Sequence, residues 1–104
     1  MYSRVTLLDI DTLRVEIDDV LERYETEILP AVRELPGYEG VAVMVTPEGK
    51  GMVVTFWDSE ESVAASAGLA ATAAEEFVTI YRSPPGREHY RVVYAEMPRV
   101  TVGS

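Results

Sequence analysis

The sequence predicts an α+β fold in the order β-α-β-β-α-β, a four-stranded antiparallel sheet carrying two helices on one face. Three observations carry that prediction. The stretch Gly51 to Ser62, GMVVTFWDSEES, is an unbroken apolar run that ends in an aromatic pair and turns at once into a helix start. A second apolar run, Gly40 to Val45, precedes it across a short turn signal. The pair is flanked by one stretch with apolar residues at intervals of three and four and by another rich in alanine.

Each element follows from its residues. Ser3 to Ile10 mixes β-branched and long apolar residues, with Val5 and Leu7 on one face and Thr6, Leu8 and Ile10 on the other, and reads as the first strand. From Asp11 the period changes. Leu13, Ile17, Val20, Leu21, Tyr24, Ile28, Val32 and Leu35 form one stripe of a long amphipathic helix, capped by Asp11 or Thr12, kinked at Pro30 and closed by Pro36-Gly37. Gly40 to Val45 is the second strand. Thr46-Pro47-Glu48-Gly49 suits a type I turn, so the third strand, Gly51 to Trp57, forms a hairpin with it. Asp58, with Glu61 three residues on, resembles a capping box for a second helix. The inward side of that helix is Val63, Ala67, Ala70, Ala71, Ala74, Phe77, Val78 and Tyr81, and Gly68 marks a weak point or bend. After the loop Ser83-Pro84-Pro85-Gly86, His89 to Glu96 alternates as a fourth strand.

The bulk composition sets limits on what the chain does. Its 104 residues predict one domain, residues 1–104, with a core over about residues 3–96 and a C-terminal tail over 97–104 in which Val100 to Val102 can extend onto a neighbour. A formal net charge of -9 repels phosphate backbones and anionic lipid surfaces, so no nucleic-acid or membrane partner is expected. There is no cysteine, which removes disulfides and thiolate metal sites. No apolar run approaches the roughly 18 residues of a membrane span, and the N-terminus lacks the basic region and apolar core of a signal peptide. A cytoplasmic protein is the expectation.

The element order is the split βαβ arrangement of ferredoxin-like folds, in which right-handed crossovers place both helices on one face of the sheet. The third strand nevertheless has no polar side. Met52, Val54 and Phe56 lie on one face and Val53, Thr55 and Trp57 on the other, so both faces need a cover. The second cover is expected from another copy, giving a homodimer through the helix-free face of the sheet.

The helix end EILPAVRELPGYEG and the block VVTFWDSEES, with the strand and helix order, resemble the dimeric α/β-barrel superfamily and within it the antibiotic biosynthesis monooxygenase-like group. The resemblance spans roughly Ser3 to Glu96. It implies a dimeric α/β barrel and a set of functions that includes cofactor-free oxygenases of polyketide-like aromatics, haem-degrading enzymes and proteins with no known reaction. Enzymes of this kind place large polar or aromatic residues on the second helix, facing a pocket. This chain has VAASAGLAATAAEEF there, which between Val63 and Ala74 offers only the Ser66 and Thr72 hydroxyls.

The candidate residues follow from these placements. His89 is the only histidine and the readiest proton carrier; Arg91 shares its face, and on a pocket wall the pair would bind and polarise an anionic or enolate oxygen. A charged edge strand explains the same residues. Trp57 would stack on an aromatic substrate or close the core over the helix start, and Tyr24 and Tyr81 would bring phenol hydroxyls to a cleft or pack in the core. Asp9, Asp11, Asp18 and Asp19 straddle a strand and a helix without a calcium loop, so no metal and no cofactor is expected. Two readings result. One is a non-catalytic protein that binds a small apolar or aromatic molecule or acts as a scaffold; the other is a cofactor-independent monooxygenase of an aromatic polyketide-like substrate. A cavity of about 300 Å³ or more lined by Trp57, Tyr81, His89 and Arg91 would favour the enzyme.

Overall fold

The computed structural model describes the backbone of residues 1–76 and 86–96 and the side chains of residues 1–72 and 90–96. The strands β1 (Tyr2–Asp9), β2 (Tyr38–Val45), β3 (Lys50–Trp57) and β4 (Gly86–Arg91) form one sheet in the order β2-β3-β1-β4, every pair antiparallel. Between β1 and β2 lie α1 (Ile17–Arg23), a π-helical turn (Tyr24–Ile28) and α2 (Leu29–Arg33), and β3 is followed by α3 (Glu60–Ala65) and α4 (Ala67–Glu76). This is the ferredoxin-like α+β fold that the sequence predicts. Tyr81, Ser83 to Pro85 and the tail from Met97 lie outside the described residues, together with the expectations placed on them.

Several boundaries differ from the sequence reading, each for a local reason. The first helix begins at Ile17 rather than at Asp11 or Thr12, because the Asp11 carboxylate accepts the Leu13 backbone N–H at 3.1 Å and holds a turn there. Leu13 consequently leaves the apolar stripe and is 92 % exposed. The irregularity expected at Pro30 spreads into the π-helical turn before it, where the Leu29 N–H reaches back to the Tyr24 carbonyl. Proline lacks the donor for a regular turn, and a wider turn accommodates its ring. The extra residue shifts the stripe by one position, so that the neighbours Ile28 and Leu29 are both buried.

The second helical stretch is capped by Ser59, not Asp58: the Ser59 hydroxyl accepts the Ser62 N–H at 3.1 Å, while Asp58 accepts the Ser62 hydroxyl at 2.9 Å. The break in this stretch falls at Ser66, two residues before Gly68. β4 starts at Gly86, three residues ahead of His89, and the Val92 N–H continues the pairing to the Met1 carbonyl at 2.9 Å.

The β2–β3 hairpin closes as the sequence requires. The Gly49 N–H bonds the Thr46 carbonyl at 3.0 Å and Gly49 sits at φ +96°, the left-handed position that a glycine supplies after a type I turn. Gly37, at φ +82°, plays the same part between α2 and β2, where an added Cβ would run into Ser62 and Asp58. The core cluster joins Ile28, Leu29 and Val32 of the first helical arm to Trp57 and Val63 across the sheet.

Candidate functional site

Register fixes which residues share the helix-covered face. Three cross-strand rows run β2-β3-β1-β4 as Tyr38–Trp57–Tyr2–Arg91, then Val41–Thr55–Arg4–His89, then Val43–Val53–Thr6–Arg87. The rows between them, including Ala42–Val54–Val5 and Met44–Met52–Leu7, belong to the opposite face.

Over the first set lies a cavity of about 90 Å³. Its walls are Leu8, Ile10 and Val53 from the sheet, Val20, Ile28 and Val32 from the first helical arm, and Leu69 and Ala70 from α4. Polar atoms come from Arg4, Thr6, Thr55 and Ser66, with Trp57 and Tyr24 as aromatic walls. Val43 is 37 % exposed and also lines the space, so the cavity reaches the surface beside the β2 edge.

Two hydrogen-bonded units fix the polar wall. The Trp57 indole N–H donates to the Thr55 hydroxyl at 2.9 Å, and Tyr38 meets the indole edge-on with ring centroids 5.9 Å apart. Both members of the donor–acceptor pair are buried, Trp57 to 1 % exposure. The second unit begins at Arg4, 6 % exposed: its Nε donates to Ser66 Oγ at 3.0 Å and its Nη2 to the Val63 carbonyl at 2.9 Å. Ser66 Oγ in turn donates to the same Val63 carbonyl at 2.6 Å. This clip sits at the break between α3 and α4. The Val63 carbonyl and the Ser66 hydroxyl are drawn toward the arginine there, and the helix resumes with the Ala70 N–H on the Ser66 carbonyl at 3.1 Å.

The expected site residues are placed as follows. Trp57 and the half-buried Tyr24 line the cavity. Arg91 is exposed and is not among the lining residues; the register places His89 beside Arg4 on the same face. Tyr81 is outside the described residues. Arg4 escaped the sequence reading although a signal existed: the Thr6, Leu8, Ile10 alternation, carried back one step, puts a charged residue on the inward face of a central strand.

No family model and no curated protein matches the sequence. Solved structures do match the fold. A protein of unknown function from Nitrosomonas europaea, NE2512, aligns at TM-score 0.72 and 17 % identity over 95 % of this chain and 95 % of its own. A monooxygenase from the gene ActVA-Orf6 of Streptomyces coelicolor, in complex with nanaomycin D, aligns at 0.71 and 18 % over 93 % and 91 %. The fold is that of the antibiotic biosynthesis monooxygenase-like proteins. The haem-degrader MhuD from Mycobacterium tuberculosis, with two haems in its active site, aligns at 0.68 and 20 % over 93 % of this chain and 100 % of its own.

Likeness to MhuD raises the question of haem. Among the described residues the cavity lining contains no histidine, cysteine or methionine. Among the described residues no helix is long and apolar enough to cross a membrane.

Proposed function

We propose that this protein binds a small, largely apolar molecule, aromatic or of similar thickness, in the cavity between sheet and helices, without catalysing its conversion. The observation that carries this reading is the cavity itself, walled by aliphatic side chains and two aromatic rings with a few polar atoms on the strand side. At about 90 Å³ it is below the roughly 300 Å³ at which ligand pockets begin. A one-ring ligand enters by displacing the rim at Val43 and Leu35. Against catalysis stands the α3–α4 side of the site, which supplies Ser66, Leu69 and Ala70 and no acid or base among the described lining residues.

The test is a titration of the sole tryptophan's fluorescence with toluene. Saturable change in the parent, lost when Ala70→Leu fills the cavity, is the expected result; an unchanged response in Ala70→Leu places the ligand elsewhere.

A second reading, cofactor-independent oxygenation of an aromatic polyketide-like substrate, is favoured by likeness to the monooxygenase that holds nanaomycin D. In that reading a substrate carbanion would react with oxygen beside Trp57 and Tyr24, with His89, which pairs with Arg4 in the strand register, as the proton carrier to be tested. Oxygen uptake with anthrone above the buffer rate, reduced in Trp57→Phe or His89→Ala, would replace the binding reading by this one.

The proposal includes a homodimer through the helix-free face, one domain per chain and a cytoplasmic setting. Leu7, Met44 and Tyr90 are 49 %, 52 % and 48 % exposed on that face, with Met52, Val54 and Phe56 half-exposed beside them. A patch of that kind is rarely left to water. The absence of cysteine fits a reducing compartment.

A further inference from the structure

Thr55 lines the cavity with a buried hydroxyl whose proton meets no acceptor among the described residues. We propose that Thr55 selects the ligand by donating a hydrogen bond to an oxygen of a neutral molecule, with an aromatic ketone as the simplest member of the class; this rests on the cavity-binding reading above.

A hydroxyl carries one proton and two lone pairs. At Thr55 the acceptor side is in use, because the indole N–H of Trp57, two residues on and on the same face of β3, donates to Oγ1 at 2.9 Å. Trp57 is buried and met edge-on by Tyr38, so the indole is held in place and the threonine proton has to point away from it. Thr55 is itself only 7 % exposed, which leaves the cavity as the place where that proton finds an acceptor. The other lining hydroxyls differ. Ser66 gives its proton to the Val63 carbonyl at 2.6 Å, and Thr6 is half-buried.

A buried donor left without an acceptor costs roughly five- to hundredfold in an equilibrium constant. Whatever occupies the cavity therefore gains by supplying an oxygen. Water does so when it enters, and a ligand that displaces the water without replacing its oxygen bears the penalty. A carbonyl oxygen avoids it, while the aliphatic walls take up the rest of the molecule. The oxygen is a neutral one, since a single uncharged hydroxyl does not offset the desolvation of a carboxylate.

Acetophenone and α-methylstyrene have nearly one shape and differ in a carbonyl oxygen against a methylene group. Binding of each is followed by the methyl resonances of Leu69, on the opposite wall, in the parent, in Thr55→Val and in Thr55→Ser, with circular dichroism as the check on folding. Thr55→Val should weaken acetophenone at least fivefold and change α-methylstyrene by less than twofold. Thr55→Ser, which keeps the hydroxyl, should hold the parent's ratio of the two affinities within twofold. Equal changes for both ligands in Thr55→Val overturn the inference. The carbonyl carbon resonance of labelled acetophenone gives a reading that needs no variant. Bound to the parent it should lie downfield of its position in an alkane, as a hydrogen-bonded carbonyl does; a bound resonance at the alkane position overturns the inference even if Thr55→Val does not fold. Binding of both ligands without dependence on Thr55 sinks the inference and leaves the cavity reading standing, and failure of both to move Leu69 overturns the two together.

Discussion

Replacing Trp57 by phenylalanine tests the packing that forms the floor of the cavity. The indole is 1 % exposed, donates to the Thr55 hydroxyl at 2.9 Å and meets Tyr38 edge-on. Phenylalanine keeps one ring and the contact with Tyr38, and loses the hydrogen bond and the outer part of the indole. The bond is worth about 1 kcal/mol net, and the removed ring atoms with the space they leave roughly another 1–2 kcal/mol. The variant should therefore be about 2–3 kcal/mol less stable. For a domain of this size that corresponds to a fall of roughly 10–20 °C in midpoint. Thermal unfolding by circular dichroism reads it directly, at one fixed protein concentration so that any self-association contributes equally to parent and variant. Thr55→Val and the double variant complete a cycle, in which a coupling of about 1 kcal/mol is expected for a buried bond. A loss below about 0.5 kcal/mol in Trp57→Phe, or strictly additive single variants, would refute the argument that this indole closes the core through Thr55.

Other expectations follow from single positions. Gly37→Ala should cost at least about 2 kcal/mol in chemical denaturation, since φ +82° penalises any Cβ and the new atom displaces Ser62 and Asp58 from their hydrogen bond. Ser59→Ala should cost about 1 kcal/mol as the loss of a helix cap, and more than Asp58→Ala; the reverse order would return the cap to Asp58. Leu13→Ser should change stability by less than about 0.5 kcal/mol, because that side chain is outside the core. Leu7→Lys with Met44→Glu, on the helix-free face, should give a folded monomer by sedimentation; a parent that is itself a monomer at micromolar concentration would remove the dimer from the proposal.

The parts of the fold that read correctly from the chain are those fixed by strong local chemistry. The run from Gly51 to Trp57 is too short and β-branched to be helical and too apolar to be half-exposed, and it forms β3, hydrogen-bonded on both sides. Thr46 to Gly49 closes its turn for the stereochemical reason visible in the residues. Boundaries failed where two local bonds compete. Asp11 can cap a helix or bind the amide two residues on, and the second choice moves the helix start to Ile17. Asp58 and Ser59 both suit a cap, and sequence spacing favoured the one whose carboxylate instead takes the Ser62 hydroxyl.

The site was legible only in part. Trp57 and Tyr24 follow from apolar period and both line the cavity. For Arg4 the strand alternation gives the inward face, but its partner Ser66, 62 residues away, is not legible in the sequence. The bend attributed to Gly68 has the same origin: Ser66 and Arg4 impose the break through long-range bonds that no local propensity encodes.

On the proposed reading, the space between sheet and helices, and not the helix-free face, takes up the small molecule. Methyl and indole resonances recorded during a toluene titration test it most directly. Shifts at Ile28, Val32, Leu69 and the Trp57 indole that saturate together are the predicted result; shifts confined to Leu7, Met44 and Met52 would contradict it.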